Sequence, residues 1–175
     1  MLTVGHAFPE FRCHSVTGPD ADSIRLITNA DTAGKWAVFA FYPKDFTFVC
    51  PTELVELNKQ LEEFDDRDTL VFGASTDNEY SHLAWCKDHE DLRELKYPLL
   101  GAQKLASDLG ILDPVENVCL RATYIVNPEG GVEYASVTSL NVGRNVDEIL
   151  RVLDAAQSGE LCPCNWKKGD EPLAV

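Results

Sequence analysis

Seven consecutive apolar residues, Trp36 to Tyr42 (WAVFAFY), stop at Pro43, and from Pro51 onward the apolar period changes to three and four. A run this continuous suits a strand covered on both faces of a sheet. Proline cannot donate to a ladder, so Pro43 ends it. Beyond it, Leu54, Leu57, Leu61 and Phe64 mark one helix face, with Glu56, Lys59, Glu62 and Glu63 between them. Pro51 suits the first helical position, where its missing N–H is no loss. The helix therefore begins at or just before Cys50. A buried strand that hands over to a helix in this way predicts a βα unit of an α/β domain.

The rest of the chain extends that unit. Thr69 to Ser75 (TLVFGAS) reads as a second buried strand, followed by a helix over about 78–89 and a short one over 103–109. Two strands, 122–127 and 132–137, flank the turn signal Pro128-Glu129-Gly130-Gly131. A last helix over about 146–157 carries the stripe Val146, Ile149, Leu150 and Leu153. Upstream, Ser23 to Thr28 is a candidate strand, and Asp65 to Asp68 reads as a solvated turn. Strand–helix–strand–helix followed by a hairpin and a closing helix is the order of a thioredoxin-like fold. The expectation is an α/β domain over 1–157, with a central mixed β-sheet flanked by helices and an N-terminal extension. A C-terminal tail over 158–175 follows, and it holds two cysteines.

Composition narrows the function classes. A formal net charge of −14 argues against partners that are themselves polyanions. Nucleic acid and the membrane surface are therefore not expected. No basic-then-apolar leader is visible in MLTVGHAFPE, and no apolar run is long enough to span a bilayer, so a cytoplasmic location is expected. In that compartment thiols are mostly reduced. The six cysteines, at 13, 50, 86, 119, 162 and 164, then read as buried hydrophobes, metal ligands or redox groups rather than structural bridges.

Cys50 stands apart by position. At a helix N-terminus the free backbone N–H groups and the helix dipole favour a thiolate, the nucleophilic form of cysteine. A thiol packed under the helix would occupy the same place in sequence, so position alone leaves both readings open. Cys13, Cys86 and Cys119 have no motif around them and read as small buried side chains. His82 and Trp85 read as packing residues. His6, His14 and His89 lack metal-ligand spacing, and Cys162 with Cys164 lacks a second pair to complete a zinc site. No phosphate loop and no flavin or nicotinamide fingerprint is present, so neither a metal nor a cofactor is expected.

The neighbours of Cys50 carry a resemblance. FYPKDFTFVCPTEL, with Pro43, Thr47 and Cys50 at the spacing Pro-x-x-x-Thr-x-x-Cys, resembles the peroxiredoxin signature of the typical two-cysteine branch. The tail segment GELCPCNWKKGD is similar to that branch's resolving-cysteine segment, with Pro163 and Trp166 in agreement and Cys164 in place of alanine. Three cysteines so arranged resemble the alkyl hydroperoxide reductase C subgroup of actinobacterial type. The resemblance runs from about Phe8 to Gly169. It implies that Cys50 is the peroxidatic cysteine, shielded by Pro43, with the Thr47 hydroxyl on the peroxide. Arg121, before ATYIVNP, matches the arginine beside the sulfur. Arg144, in VGRNVDE, matches a second arginine of the site, and Glu53 matches the partner of that pair.

The resemblance also implies a cycle. The Cys50 thiolate attacks a peroxide (hydrogen peroxide, an alkyl hydroperoxide or peroxynitrite) and becomes a sulfenic acid. Cys162 of a partner subunit condenses with it to a disulfide, and Cys164 is a second candidate for that step. A dithiol protein then reduces the bond by exchange: thioredoxin, a flavoprotein reductase or an alkyl hydroperoxidase D-type protein. Dimers that close into a ring, a decamer or a dodecamer, are part of the same implication. The alternatives are a ring-shaped holdase chaperone and a thiol–disulfide exchange protein. The second lacks the usual Cys-x-x-Cys at the helix start.

Overall fold

The strands and helices of the computed structural model, which describes residues 1–174, run along the chain as follows. Strands β1 (Arg12–Val16) and β2 (Arg25–Thr28) lead to a short helix α1 (Asn29–Thr32) and strand β3 (Trp36–Phe41). Helices α2 (Cys50–Lys59) and α3 (Leu61–Asp65), strand β4 (Thr69–Ser75) and helix α4 (Glu79–Asp88) come next. Strand β5 (Leu99–Gly101), helix α5 (Gln103–Leu109), strands β6 (Arg121–Val126) and β7 (Val132–Thr138), and helix α6 (Val146–Ser158) complete the order. The strands form one sheet in the order β2-β1-β5-β4-β3-β6-β7. Among the described residues no helix is long and apolar enough to cross a membrane.

The apolar run is the parallel centre of this sheet. β3 pairs in parallel with β4, from Trp36 opposite Thr69 to Phe41 opposite Ala74. On its other side it pairs antiparallel with β6, from Ala37 opposite Val126 to Ala40 opposite Thr123. Alternation along β3 sends Ala37, Phe39 and Phe41 to one face. There Phe39 stacks between Phe8 and Phe72, with ring centroids 4.5 and 5.0 Å apart. The turn before β7 is closed by Gly130 at φ +84°, whose N–H donates to Asn127 O at 2.9 Å.

The opposite face is shaped to seat α2. A Cβ on Gly73 of β4 would stand 2.6 Å from Leu99 Cδ2 and 3.1 Å from Leu54 Cδ2, so only glycine lets that helix approach. Tyr97 then fixes α2 in place, its hydroxyl donating to Leu54 O at 2.9 Å. Leu54 and Leu57 are fully buried.

Three features differ from the sequence reading. β1 and β5 join the sheet, yet at five and three residues they are too short to show a period. The candidate strand at Ser23 narrows to Arg25–Thr28, because Ser23 closes a 3-10 turn capped by Asp20. The single helix expected through Phe64 breaks at Gln60 (φ −98°, ψ 13°), where no glycine or proline marks the break. Phe64 is fully buried beyond it, so the apolar period survives and hides it.

The chain divides into two compact units, 1–144 and from Asn145 onward, so α6 groups with the tail. In the second unit Asn145 caps α6, its Oδ1 accepting from Glu148 N at 3.1 Å, and Gly159 at φ +65° ends it. The segment beyond is built of turns. Arg151 Nη1 donates to Trp166 O at 3.1 Å, and Trp166 Nε1 donates to Asp170 O at 3.0 Å.

Candidate active site

Cys50 is the first residue of α2 and is fully buried. Val49 before it supplies no side-chain cap, and Pro51 after it has no N–H. The positive end of the helix therefore faces the sulfur without a competing side-chain oxygen.

Glu53, one turn along α2, gathers two arginines at that sulfur. Arg121 Nη1 lies 2.5 Å from Glu53 Oε2 and 3.5 Å from Cys50 Sγ, and its Nε donates to Leu140 O at 2.8 Å. Arg144 donates its backbone N–H to Glu53 Oε1 at 2.9 Å, and its Nη1 stands 3.0 Å from Oε2. Arg144 Nε donates to Thr123 Oγ1 and Nη2 to Ala122 O, both at 2.9 Å, and Nη2 also donates to Phe41 O. These contacts tie the end of β3, the start of β6 and the segment before α6 to a single carboxylate.

The three charged side chains are almost fully buried, with 2–4% of each exposed. Two guanidiniums and one carboxylate leave one positive charge uncompensated, in surroundings where an unbalanced charge is costly. Burial pulls the ionisation of Arg144 below its ordinary value, and Glu53 opposes that pull. Arg144 Nη1, although close to Glu53, lies off the hydrogen-bonding direction and is left without a hydrogen-bond partner. The arrangement is built to receive one negative charge.

The other buried thiols have the opposite surroundings. Burial raises Cys13 to about 11, and Cys86 and Cys119 to about 12, so all three stay protonated at neutral pH. Cys86 and Cys119 are fully buried, as expected for small apolar packing groups.

Pro43 and Thr47 lie on the loop between β3 and α2. Pro43 is buried and Thr47 half-buried, its hydroxyl donating to Lys44 O at 3.0 Å and leaving its lone pairs free to accept. Phe46 adopts φ +55°, and Phe48 is 94% exposed. Cys162 and Cys164 belong to the second unit. Cys162 is half-buried, with Sγ 3.5 Å from Ser158 Oγ, and Cys164 is exposed; all six cysteines are free thiols.

A buried polar cluster behind this loop escaped the sequence reading. Asp45 bonds Tyr42 and Ser81 and faces His82, which is fully buried. His82 is thus a hydrogen-bonded residue and not only the packing residue expected, whereas Trp85 is buried among Tyr42 and Phe46. The available signal was an ionisable residue set between the aromatics Tyr42 and Phe46.

Residues 4–135 match the model of the AhpC/TSA family. Alkyl hydroperoxide reductase C of Mycolicibacterium smegmatis is 48% identical to this chain over 184 residues, spanning 99% of the chain and 94% of the relative. Among solved structures, Mycobacterium tuberculosis AhpC superposes with a TM-score of 0.87 at 43% identity, covering 95% of this chain and 99% of its own. A reduced Plasmodium vivax 2-Cys peroxiredoxin gives 0.89 at 35% identity, covering 98% and 93%.

Proposed function

We propose, from the premise that the chain belongs to the AhpC/TSA family and is a thiol peroxidase, that Cys50 is the residue its peroxide oxidises. The observation that carries this reading is the Arg121 guanidinium 3.5 Å from Cys50 Sγ, in a buried cluster one negative charge short of balance. A Cys50 thiolate supplies that charge. Hydrogen peroxide and alkyl hydroperoxides are the proposed substrates, with peroxynitrite as a further one.

In the proposed first step the thiolate attacks one peroxide oxygen and the O–O bond breaks. Sulfur is oxidised to the sulfenic acid, and the other oxygen leaves, protonated, as water or an alcohol, or, from peroxynitrite, as nitrite. Arg121 stabilises the charge on both sulfur and the departing oxygen, Thr47 accepts a hydrogen bond from the peroxide, and Pro43 keeps water away. Arg144 and Glu53 hold Arg121 in position. In the second step a thiol of Cys162 or Cys164, from a partner subunit, attacks the sulfenic sulfur, forming the disulfide and releasing water. A dithiol protein in the cytoplasm then exchanges its two thiols for the disulfide. Assembly of homodimers into a ring, of ten or twelve subunits, belongs to the same reading.

The test mixes fully reduced protein with one equivalent of hydrogen peroxide and counts remaining peroxide and thiols. Loss of peroxide with two thiols per event, abolished by Cys50→Ser, supports the assignment. Undiminished peroxide consumption in Cys50→Ser refutes it.

A further inference from the structure

The loop that delivers Cys50 is held from behind by a carboxylate that the peroxide chemistry does not use. Asp45, 7% exposed, lies between Pro43 and Thr47. Its Oδ1 accepts from Tyr42 Oη at 2.9 Å, and its Oδ2 accepts from Ser81 Oγ at 2.9 Å and faces His82 Nδ1 at 2.8 Å. Its backbone N–H donates to Asp77 Oδ2 at 2.9 Å, and that oxygen also accepts from Ser75 Oγ at 2.9 Å. Residues just after β3, just after β4 and in the first turn of α4 thus converge on one residue of the loop.

The proton inventory closes. His82 Nε2 faces only a carbonyl, Leu100 O at 3.2 Å, so it carries a hydrogen. Nδ1 faces both Asp45 oxygens, at 2.8 and 3.1 Å, with Tyr42 Oη farther off at 3.3 Å, so one proton lies between His82 and Asp45. Burial, and then the Asp45 charge, push Tyr42 well above its ordinary value, which keeps its phenol a donor. A buried polar network satisfied in this way is rigid and costly to open. Against it works the loop itself, where Phe46 holds φ +55°, a conformation non-glycine residues rarely adopt.

We propose that Asp45 is a positioning residue that latches the Cys50 loop in its closed, peroxide-reducing form, and that releasing it is the conformational cost of forming the Cys50 disulfide. The inference rests on the reading of Cys50 as the oxidised residue. A disulfide needs its two Cα atoms within about 7 Å. Cys50 is fully buried at a helix start, so the segment must open before a second thiol reaches it. A latch of this kind pulls the two chemical steps in opposite directions. Closed, it favours attack on peroxide; open, it favours disulfide formation.

The test compares the full-length reduced protein with Asp45→Ala, Asp45→Asn and Ser81→Ala in single-turnover mixing with hydrogen peroxide. Peroxide loss and quenched disulfide are followed separately, and hydrogen exchange is read over residues 42–50. Asp45→Ala is expected to slow the peroxide step about tenfold or more and to speed the disulfide step by a similar factor, as loss of a buried bonded partner implies. Asp45→Asn keeps an acceptor for Tyr42 and offers a donor to neutral His82, so both rates stay within about threefold of the parent. Ser81→Ala removes a single bond, shifts both rates the same opposed ways by a smaller factor, and decides the matter if Asp45→Ala does not fold. Unchanged rates, or two rates that fall together, overturn the latch. If the parent forms no sulfenic acid at Cys50, the proposed function falls instead. Exchange over 42–50 in the variants still decides whether Asp45 holds the loop.

Discussion

Arg121 reaches Cys50 and Glu53 with the same nitrogen, Nη1, at 3.5 Å from the sulfur and 2.5 Å from the carboxylate. Nη1 carries two hydrogens and can donate to both atoms, but a guanidinium carries one positive charge in all; Arg144, which also pairs with Glu53, adds the second. The carboxylate thus has a purpose beyond pairing: it fixes the direction in which Arg121 presents its charge to sulfur.

Replacing Arg121 by Met removes the cation while keeping much of the volume. Alkylation of Cys50 at neutral pH and its reaction with peroxide should both slow by about 10- to 100-fold, the range for hydrogen bonds to charged groups. Stopped-flow peroxide kinetics and iodoacetamide labelling would measure the two. Rates equal to the parent's would remove Arg121 from the mechanism.

Glu53→Gln should act differently, because it leaves two buried arginines without a carboxylate. Breaking a buried ion pair by removing one partner typically costs about 3–5 kcal/mol. The urea midpoint should fall accordingly, whereas Cys50 in the folded fraction should alkylate no more slowly than in the parent. A variant as stable as the parent would contradict the charge count given above.

How much of this was legible beforehand depended on distance along the chain. β3, β4 and the β6–β7 hairpin are continuous apolar or turn-marked segments, and Cys50 at the start of α2 followed from Pro43, Pro51 and the change of period. Glu53, Arg121 and Arg144 have no local signature. Arg121 and Arg144 lie 68 and 91 residues from Glu53, so only the resemblance pointed to the three together. The strands β1 and β5 are defined by their neighbours, β1 by pairing with β2 and β5 by pairing with β4 and β1, and not by their own residues. Asp45 was passed over because an acidic residue in a loop is ordinarily solvated.

The buried thiols predict an alkaline limit. Cys13, Cys86 and Cys119 are raised from 9.0 to about 11, 12 and 12, so the folded chain holds their protons more tightly than the unfolded chain does. Their contribution is complete below pH 9 and declines as pH rises through the interval from 9 to the folded values. Urea midpoints of the reduced protein should therefore fall steadily above that pH, and Cys86→Ala should make the fall shallower. An undiminished midpoint at pH 11 would show that these thiols are not desolvated.

Gly73→Ala tests the seat of α2. Its Cβ would meet Leu99 Cδ2 at 2.6 Å and Leu54 Cδ2 at 3.1 Å. Overpacking of this kind costs about 1–3 kcal/mol. Because Leu54 shares a helix with Cys50, the peroxide rate should drop together with thermal stability. A loss of stability with an unchanged rate would mean that the sheet, not α2, absorbs the strain.

The two cysteines beyond α6 should divide the second step unequally. Cys162 is half-buried beside Ser158 and Ala155, whereas Cys164 is exposed, inside the turn that the Trp166 backbone N–H closes on Pro163 O. A bond between them would close a small strained ring, so each is expected to pair with Cys50 instead. An exposed thiol needs no local opening of its own, so Cys164 suits a role in passing the bond onward to a reductant by exchange. Cys162→Ser and Cys164→Ser should each retain some disulfide-linked dimer on non-reducing gels after peroxide, and the double variant none. Turnover with a dithiol reductant should fall in both single variants. If Cys162→Ser alone abolishes every disulfide while Cys164→Ser turns over like the parent, Cys162 is the sole resolving thiol and Cys164 takes no part.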